Sequence, residues 1–174
     1  FFAANGVPIL YRGHEGPTEE KLENLRQFLG ELGLDLGGGA KPTPLHYQRL
    51  LLQVADREDA HVIQTMLLRS LSQAVYQPEN KGHFGLHYEA YAHFTSPIRR
   101  YPDLLVHRGI RHLIRSGGGA KGVLRLEGAK SIPTKQIFPY DIHAMVVNGE
   151  HCSMTERRAD EATREVNDWI KCEY

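Results

Sequence analysis

The sequence predicts an α+β fold, predominantly helical with a few short strands, and three observations carry that prediction. Several stretches repeat apolar residues at helical spacing and open on a capping residue. Two short stretches, Val7 to His14 and Tyr91 to Thr95, have the alternation or the aromatic and β-branched content of strands. Glycine and proline separate these runs, leaving no room for a large regular sheet. The 174 residues, 41% hydrophobic and 24% charged, fit one globular domain large enough to bury a core.

Val7 to His14 reads as a strand, with Pro8 placing it at an edge or at its own start. Thr18 caps the first helix, with Glu19 and Glu20 in the favoured first turn; Leu22, Leu25, Phe28, Leu29 and Leu32 form its apolar stripe and Gly33 stops it. Asp35 to Lys41, with three consecutive glycines, is a loop. Thr43-Pro44 opens a helix to about Val54. Asp56 is expected to cap the next, with Val62, Ile63, Met66, Leu67, Leu71, Ala74 and Val75 as its buried face and Gln64 and Arg69 outside. Tyr76 to Gly82, with Pro78 and Asn80, breaks that pattern.

His83 and His87 stand four apart, but Gly85 between them disfavours helix and no Glu follows the first His. A tight backbone approach at Gly85, lined by aromatic and His side chains, fits better than a metal pair. Residues 116–141 read as a surface loop or insertion, glycine-rich at its start and carrying Pro133 and Pro139. Ser153-Met154-Thr155-Glu156 has the spacing of a capping box before an amphipathic helix with Ala159, Ala162, Val166, Trp169 and Ile170 inward.

Tyr91 to His107 carries the chemistry. Ser96-Pro97 is a helix-start signal, preceded by the short strand of Tyr91, His93, Phe94 and Thr95. Acidic residues are favoured in a first turn, yet this one holds Arg99 and Arg100. A bound anion is one compensation; two solvated arginines are the other. Arg99, Asp103 and His107 fall on one side of the expected helix, so Asp103 can hold the Arg99 guanidinium toward a phosphate or carboxylate, or form an ordinary helix pair.

A net charge of zero excludes a broad basic face, so phosphate binding must be local. Cys152 and Cys172 are too few for a disulfide scaffold and lack zinc-site spacing, which points to free thiols and a cytoplasmic setting. No leader and no long apolar run indicates export or membrane insertion. Opening on Phe1-Phe2-Ala3-Ala4, without Met, the chain reads as a fragment of a longer protein.

His83-Phe84-Gly85-Leu86, Tyr91, Thr95-Ser96-Pro97-Ile98-Arg99-Arg100-Tyr101, Asp103 and His107 together resemble the signature of the ribonuclease II family. Met66-Leu67-Leu68-Arg69-Ser70, Pro78-Glu79-Asn80 and the run from His151 to Trp169 extend the resemblance over nearly the whole chain. It implies a magnesium-dependent hydrolytic exoribonuclease that degrades single-stranded RNA from the 3′ end and releases nucleoside 5′-monophosphates. By the same resemblance Arg99 is catalytic and contacts the phosphate under attack. Thr95 and Ser96 cradle a phosphate; Tyr91, His93 and Arg100 line the pocket or contact RNA; Asp103 orients.

One departure is large. The family's aspartate cluster holds the magnesium ions, and no Asp-x-Asp-Asp arrangement occurs here; Asp56, Asp59 and Asp103 are scattered. Residues 1–174 are therefore expected to be the C-terminal part of an RNB-type catalytic domain, with the Mg²⁺ ligands outside the chain and the isolated chain inactive. Such a piece is expected to self-associate through an exposed apolar face. The rival reading is a non-catalytic module that grips single-stranded RNA at the same arginine site.

Overall fold

The computed structural model describes residues 1–116 and 133–172. The fold is α+β and predominantly helical, and the chain divides into two compact units. One comprises Gly13–Ala74 and Lys81–Tyr91; the other comprises Phe1–Arg12, Val75–Asn80 and Ala92–Tyr174.

In the first of these, Thr18 Oγ1 accepts the Lys21 amide at 3.4 Å and opens helix α1 (Glu19–Glu31). Gly33, at φ +69°, lets the Leu34 amide turn back to the Leu29 carbonyl at 2.9 Å, which closes the helix end. Helix α2 (Pro44–Gln53) starts at Thr43-Pro44, where the Thr43 amide donates to His46 Nδ1 at 3.1 Å. Leu22, Leu25, Leu29, Tyr47 and Leu50 from these helices pack with Ile63 and Leu67 of helix α3 (Ala60–Ser70). Each such side chain contributes about 1.5–3 kcal/mol on burial.

Helix α3 departs from expectation at both ends. It starts at Ala60, with Asp59 rather than Asp56 in the cap position, and two bonds of 2.8 Å from Arg57 hold the Asp59 carboxylate. It stops at Ser70 because the next residues are drawn into tertiary bonds: Ser72 Oγ donates to the Gly16 carbonyl at 2.8 Å, and His14 Nε2 donates to the Ser72 carbonyl at 2.7 Å. Ala74 and Val75 are thus off the helix, and Val62 is exposed. His14 also accepts the Gly85 amide through Nδ1 at 3.0 Å. A Cβ at Gly85 would sit 3.0 Å from that imidazole, so the tight approach expected at Gly85 is present.

In the other unit, strand β1 (Tyr11–Gly13), which belongs to it through Arg12, pairs with β2 (Val75–Gln77). Residues 91–95 form no strand; the Phe94 carbonyl accepts from the His107 side chain at 2.9 Å instead of joining a ladder. Helix α4 (Tyr101–Arg115), the short α5 (Thr134–Ile137) and α6 (Ile142–Cys172) complete it. Its core is Leu10, Tyr76, Leu105, Phe138, Met145 and Cys152. Of the loop expected over 116–141, residues 117–132 lie outside the described residues, while Ile137 and Phe138 are buried.

Ser153 is not a cap. Helix α6 already runs from Ile142, where Asp141 Oδ1 accepts the Ala144 amide at 2.7 Å, and Ser153 is a buried mid-helix residue whose Oγ accepts the Tyr76 amide at 2.9 Å. Gly149 sits one turn away, and a Cβ there would come within 2.6 Å of the Tyr76 carbonyl oxygen, so β2 lies directly on α6. Beyond Glu156 every described residue of α6 is exposed, so Ala159, Ala162, Val166, Trp169 and Ile170 face outward rather than inward. None of the helices among the described residues is long and apolar enough to cross a membrane.

Candidate functional site

Ser96-Pro97 opens a turn rather than the helix. The Arg99 and Arg100 amides both return to the Ser96 carbonyl, at 3.2 and 3.0 Å, and α4 begins afresh at Tyr101 with Pro102 in its first turn. Pro102 explains the break: its ring has no N–H to donate and would clash with a carbonyl four residues back, so a helix opened at Ser96 cannot run through it. Proline is tolerated in a first turn, so the helix restarts around it.

This break changes the partner of Asp103. With Arg99 in the turn and Asp103 in the helix, the expected pairing at four-residue spacing is lost. Asp103, 0% exposed, accepts instead from Arg100 Nη2 at 2.9 Å and from the Ser96 amide at 2.8 Å, both through Oδ1. It therefore orients Arg100 and staples the turn, while Arg99 is exposed and its side chain has no hydrogen bond or ion pair among the described residues. Asp103 Oδ2 and Arg100 Nε are buried without a partner, so this pair is one-pronged.

Arg99 and Arg100 line a cavity of ≈ 750 Å³. Its other walls include Tyr76 of β2 and His151, Thr155, Glu156 and Asp160 of α6. Arg12 reaches Glu156 at 2.5 Å and places its guanidinium 4.5 Å from the centre of the Tyr76 ring. The Tyr76 hydroxyl and His93 Nδ1 are 2.8 Å apart. Burial lowers the His93 pKa, and the Arg100 and Arg12 charges lower it further, which disfavours the charged ring. Burial raises the Tyr76 pKa. His107 stacks on Phe94 with ring centres 4.5 Å apart and planes 2° from parallel, and so braces the turn from behind.

His93, Thr95, Ser96, Arg99, Arg100 and Asp103 thus share one unit, with Thr95 exposed and Ser96 half-buried. Tyr91 belongs to the other, where its ring meets His83 edge-on at 5.2 Å and Tyr88 at 6.1 Å. Arg12, Tyr76 and Glu156 were not expected at the site. One signal was available for α6: Ile142, Met145, Gly149 and Cys152 continue the helical spacing backwards from Ser153. Arg12 had no such local signal. Among the described residues no group of three or more His, Cys, Asp and Glu side chains gathers as a metal site.

A model of the RNB domain matches residues 1–116. Ribonuclease R of Vibrio cholerae is 56% identical over 165 residues, which are 95% of this chain and 19% of that protein. Ribonuclease R of Escherichia coli is 52% identical over 167 residues, 96% of this chain and 20% of that protein. The chain therefore spans about a fifth of the length of these curated relatives. Among solved structures, Mycoplasma genitalium RNase R in complex with ribose methylated single-stranded RNA superposes with a TM-score of 0.78 at 24% identity, covering 98% of this chain and 25% of that one. The same protein in complex with double-stranded RNA also gives 0.78. At that identity the superposition establishes a common fold.

Proposed function

The chain belongs to the RNB domain family, and on that premise we propose that it is the C-terminal portion, residues 1–174, of the catalytic domain of a 3′-to-5′ exoribonuclease. The parent enzyme hydrolyses single-stranded RNA to nucleoside 5′-monophosphates, in the cytoplasm, and this chain contributes the phosphate-binding arginine. The single observation that carries this reading is the contrast between neighbours: Arg100 is committed to the buried Asp103, whereas Arg99 is left unpaired at the cavity. A phosphoryl group under attack gathers negative charge, and a guanidinium already in position stabilises that charge without reorganising. Thr95 and Ser96 flank the same turn, and His93 and Arg100 line or support it. Tyr91 is proposed as an RNA contact on the resemblance alone.

The family implies magnesium, which in such enzymes neutralises charge on the phosphate and activates water. The described residues do not fit that role. Asp103 is shut away on Arg100 and Ser96, and Glu156 is bonded to Arg12. No step is therefore assigned to a metal held by this chain, and its ligands belong to the rest of the parent protein. The outward-facing Val166, Trp169 and Ile170 support the reading that the chain on its own self-associates.

The test is degradation of a 5′-labelled single-stranded RNA by the parent enzyme carrying Arg99→Ala. The expected loss in kcat is about a hundredfold or more; turnover within a few fold of normal removes Arg99 from the role. This chain alone, with Mg²⁺, is expected to bind the RNA without shortening it. Clean Mg²⁺-dependent shortening by the chain would overturn the assignment of the metal site elsewhere.

A further inference from the structure

Arg12 does not line the cavity, yet it is bonded to two groups that do. Its side chain, 15% exposed, reaches Glu156 at 2.5 Å and lies over the Tyr76 ring. These partners come from β1, β2 and α6, with 144 residues between Arg12 and Glu156. As a device for stability alone this is a poor investment, because a partly buried ion pair gains little over an apolar replacement. Its consequence for the cavity is larger. Glu156 is a carboxylate on the same cavity as Arg99. Left without Arg12, it would compete with a phosphate for the Arg99 guanidinium and repel the phosphate directly.

We propose that Arg12 is a positioning residue for RNA binding: it sequesters Glu156 and thereby keeps Arg99 available to the phosphate. Two of the charges around the cavity are paired, Glu156 with Arg12 and Arg100 with Asp103, while the exposed Asp160 and the Arg99 guanidinium have no ion pair among the described residues. Arginine suits the brace better than lysine in one respect, since its flat face rests on Tyr76 while its edge meets the carboxylate. The sequestering itself needs only a cation at that place. The proposal rests on the reading of Arg99 as the phosphate ligand.

The experiment is equilibrium binding of a short 5′-labelled single-stranded RNA to this chain by fluorescence anisotropy, at low salt. Arg12→Met is expected to weaken binding about tenfold, and adding Glu156→Gln to Arg12→Met to restore it to within about threefold of the unsubstituted chain. A purely structural brace predicts no such rescue. Arg12→Lys, which keeps the cation, is expected to bind within about threefold, and it decides the matter if Arg12→Met does not fold. Unchanged binding by Arg12→Met, failure of the double substitution to recover, or a tenfold loss with Arg12→Lys overturns the proposal. Arg99→Ala is measured in parallel. Unchanged binding there defeats the Arg99 reading itself, a result distinct from any failure of Arg12.

Discussion

Asp103 Oδ1 lies 2.9 Å from Arg100 Nη2 and 2.8 Å from the Ser96 amide, in a carboxylate with no solvent exposure. One buried group thus closes the turn and fixes which of two adjacent arginines is structural. Helix α4 restarts at Tyr101 because of Pro102, and that restart is what puts Arg100, not Arg99, within reach of Asp103.

The two arginines should therefore separate cleanly on substitution. Arg99→Ala is expected to leave the unfolding free energy of the chain within about 0.5 kcal/mol, as for an exposed residue without partners. Arg100→Ala is expected to cost about 3 kcal/mol, because it strands a buried carboxylate. Urea unfolding monitored by circular dichroism measures both. Equal losses would remove the distinction drawn between them.

Gly149→Ala tests the seat of β2 on α6. Its Cβ would meet the Tyr76 carbonyl oxygen at 2.6 Å, and backbone cannot move aside as a flexible side chain can. A destabilisation of about 1–3 kcal/mol is expected. Gly30→Ala, with nothing within 4 Å of the added carbon, is the control and should be neutral or slightly stabilising.

Alkaline pH should weaken the fold through Tyr101. Burial, together with its hydrogen bond to Tyr140 at 2.9 Å, pushes the Tyr101 pKa up to about 12, against 10.0 for the free side chain. The folded state therefore holds the phenol proton more tightly than the unfolded state. This contribution is fully present below about pH 10 and is lost as pH rises from 10 through 12. Tyr101→Phe should flatten the fall in melting temperature over that window. Partial exposure of Tyr101 keeps the effect modest.

Self-association should run through the end of α6. Val166, Trp169 and Ile170 are 52%, 68% and 47% exposed, on one side of a helix that leaves the core after Glu156. Sedimentation velocity of the chain is expected to show concentration-dependent growth that Trp169→Lys suppresses. A monomer at every concentration tested would leave that surface without a self-partner.

What was legible from sequence was local. Thr18, Gly33 and Thr43-Pro44 act on amides and carbonyls within a turn of themselves, so α1 and α2 could be placed from their own residues. Gly85 announced a close approach because a Cβ there would crowd its neighbour, although nothing local named His14 as that neighbour. The position of the arginine turn was legible for the same reason. Its partner was not, since Ser96-Pro97 and Tyr101-Pro102 are both start signals and only one can open the helix.

The sequence by itself determined where α1 and α2 begin, where the arginine-bearing turn proposed as the anion site falls, and that a chain of zero net charge has only a few placed groups to offer a phosphate. Tertiary structure alone decided that Asp103 takes Arg100, that Ser153 serves the Tyr76 amide instead of capping a helix, and that Arg12 meets Glu156 across 144 residues. The physical reason is range. A cap or a glycine is settled by atoms a few bonds away, whereas the partner of a buried charge or amide is whichever group the packing delivers. A buried polar group must find one.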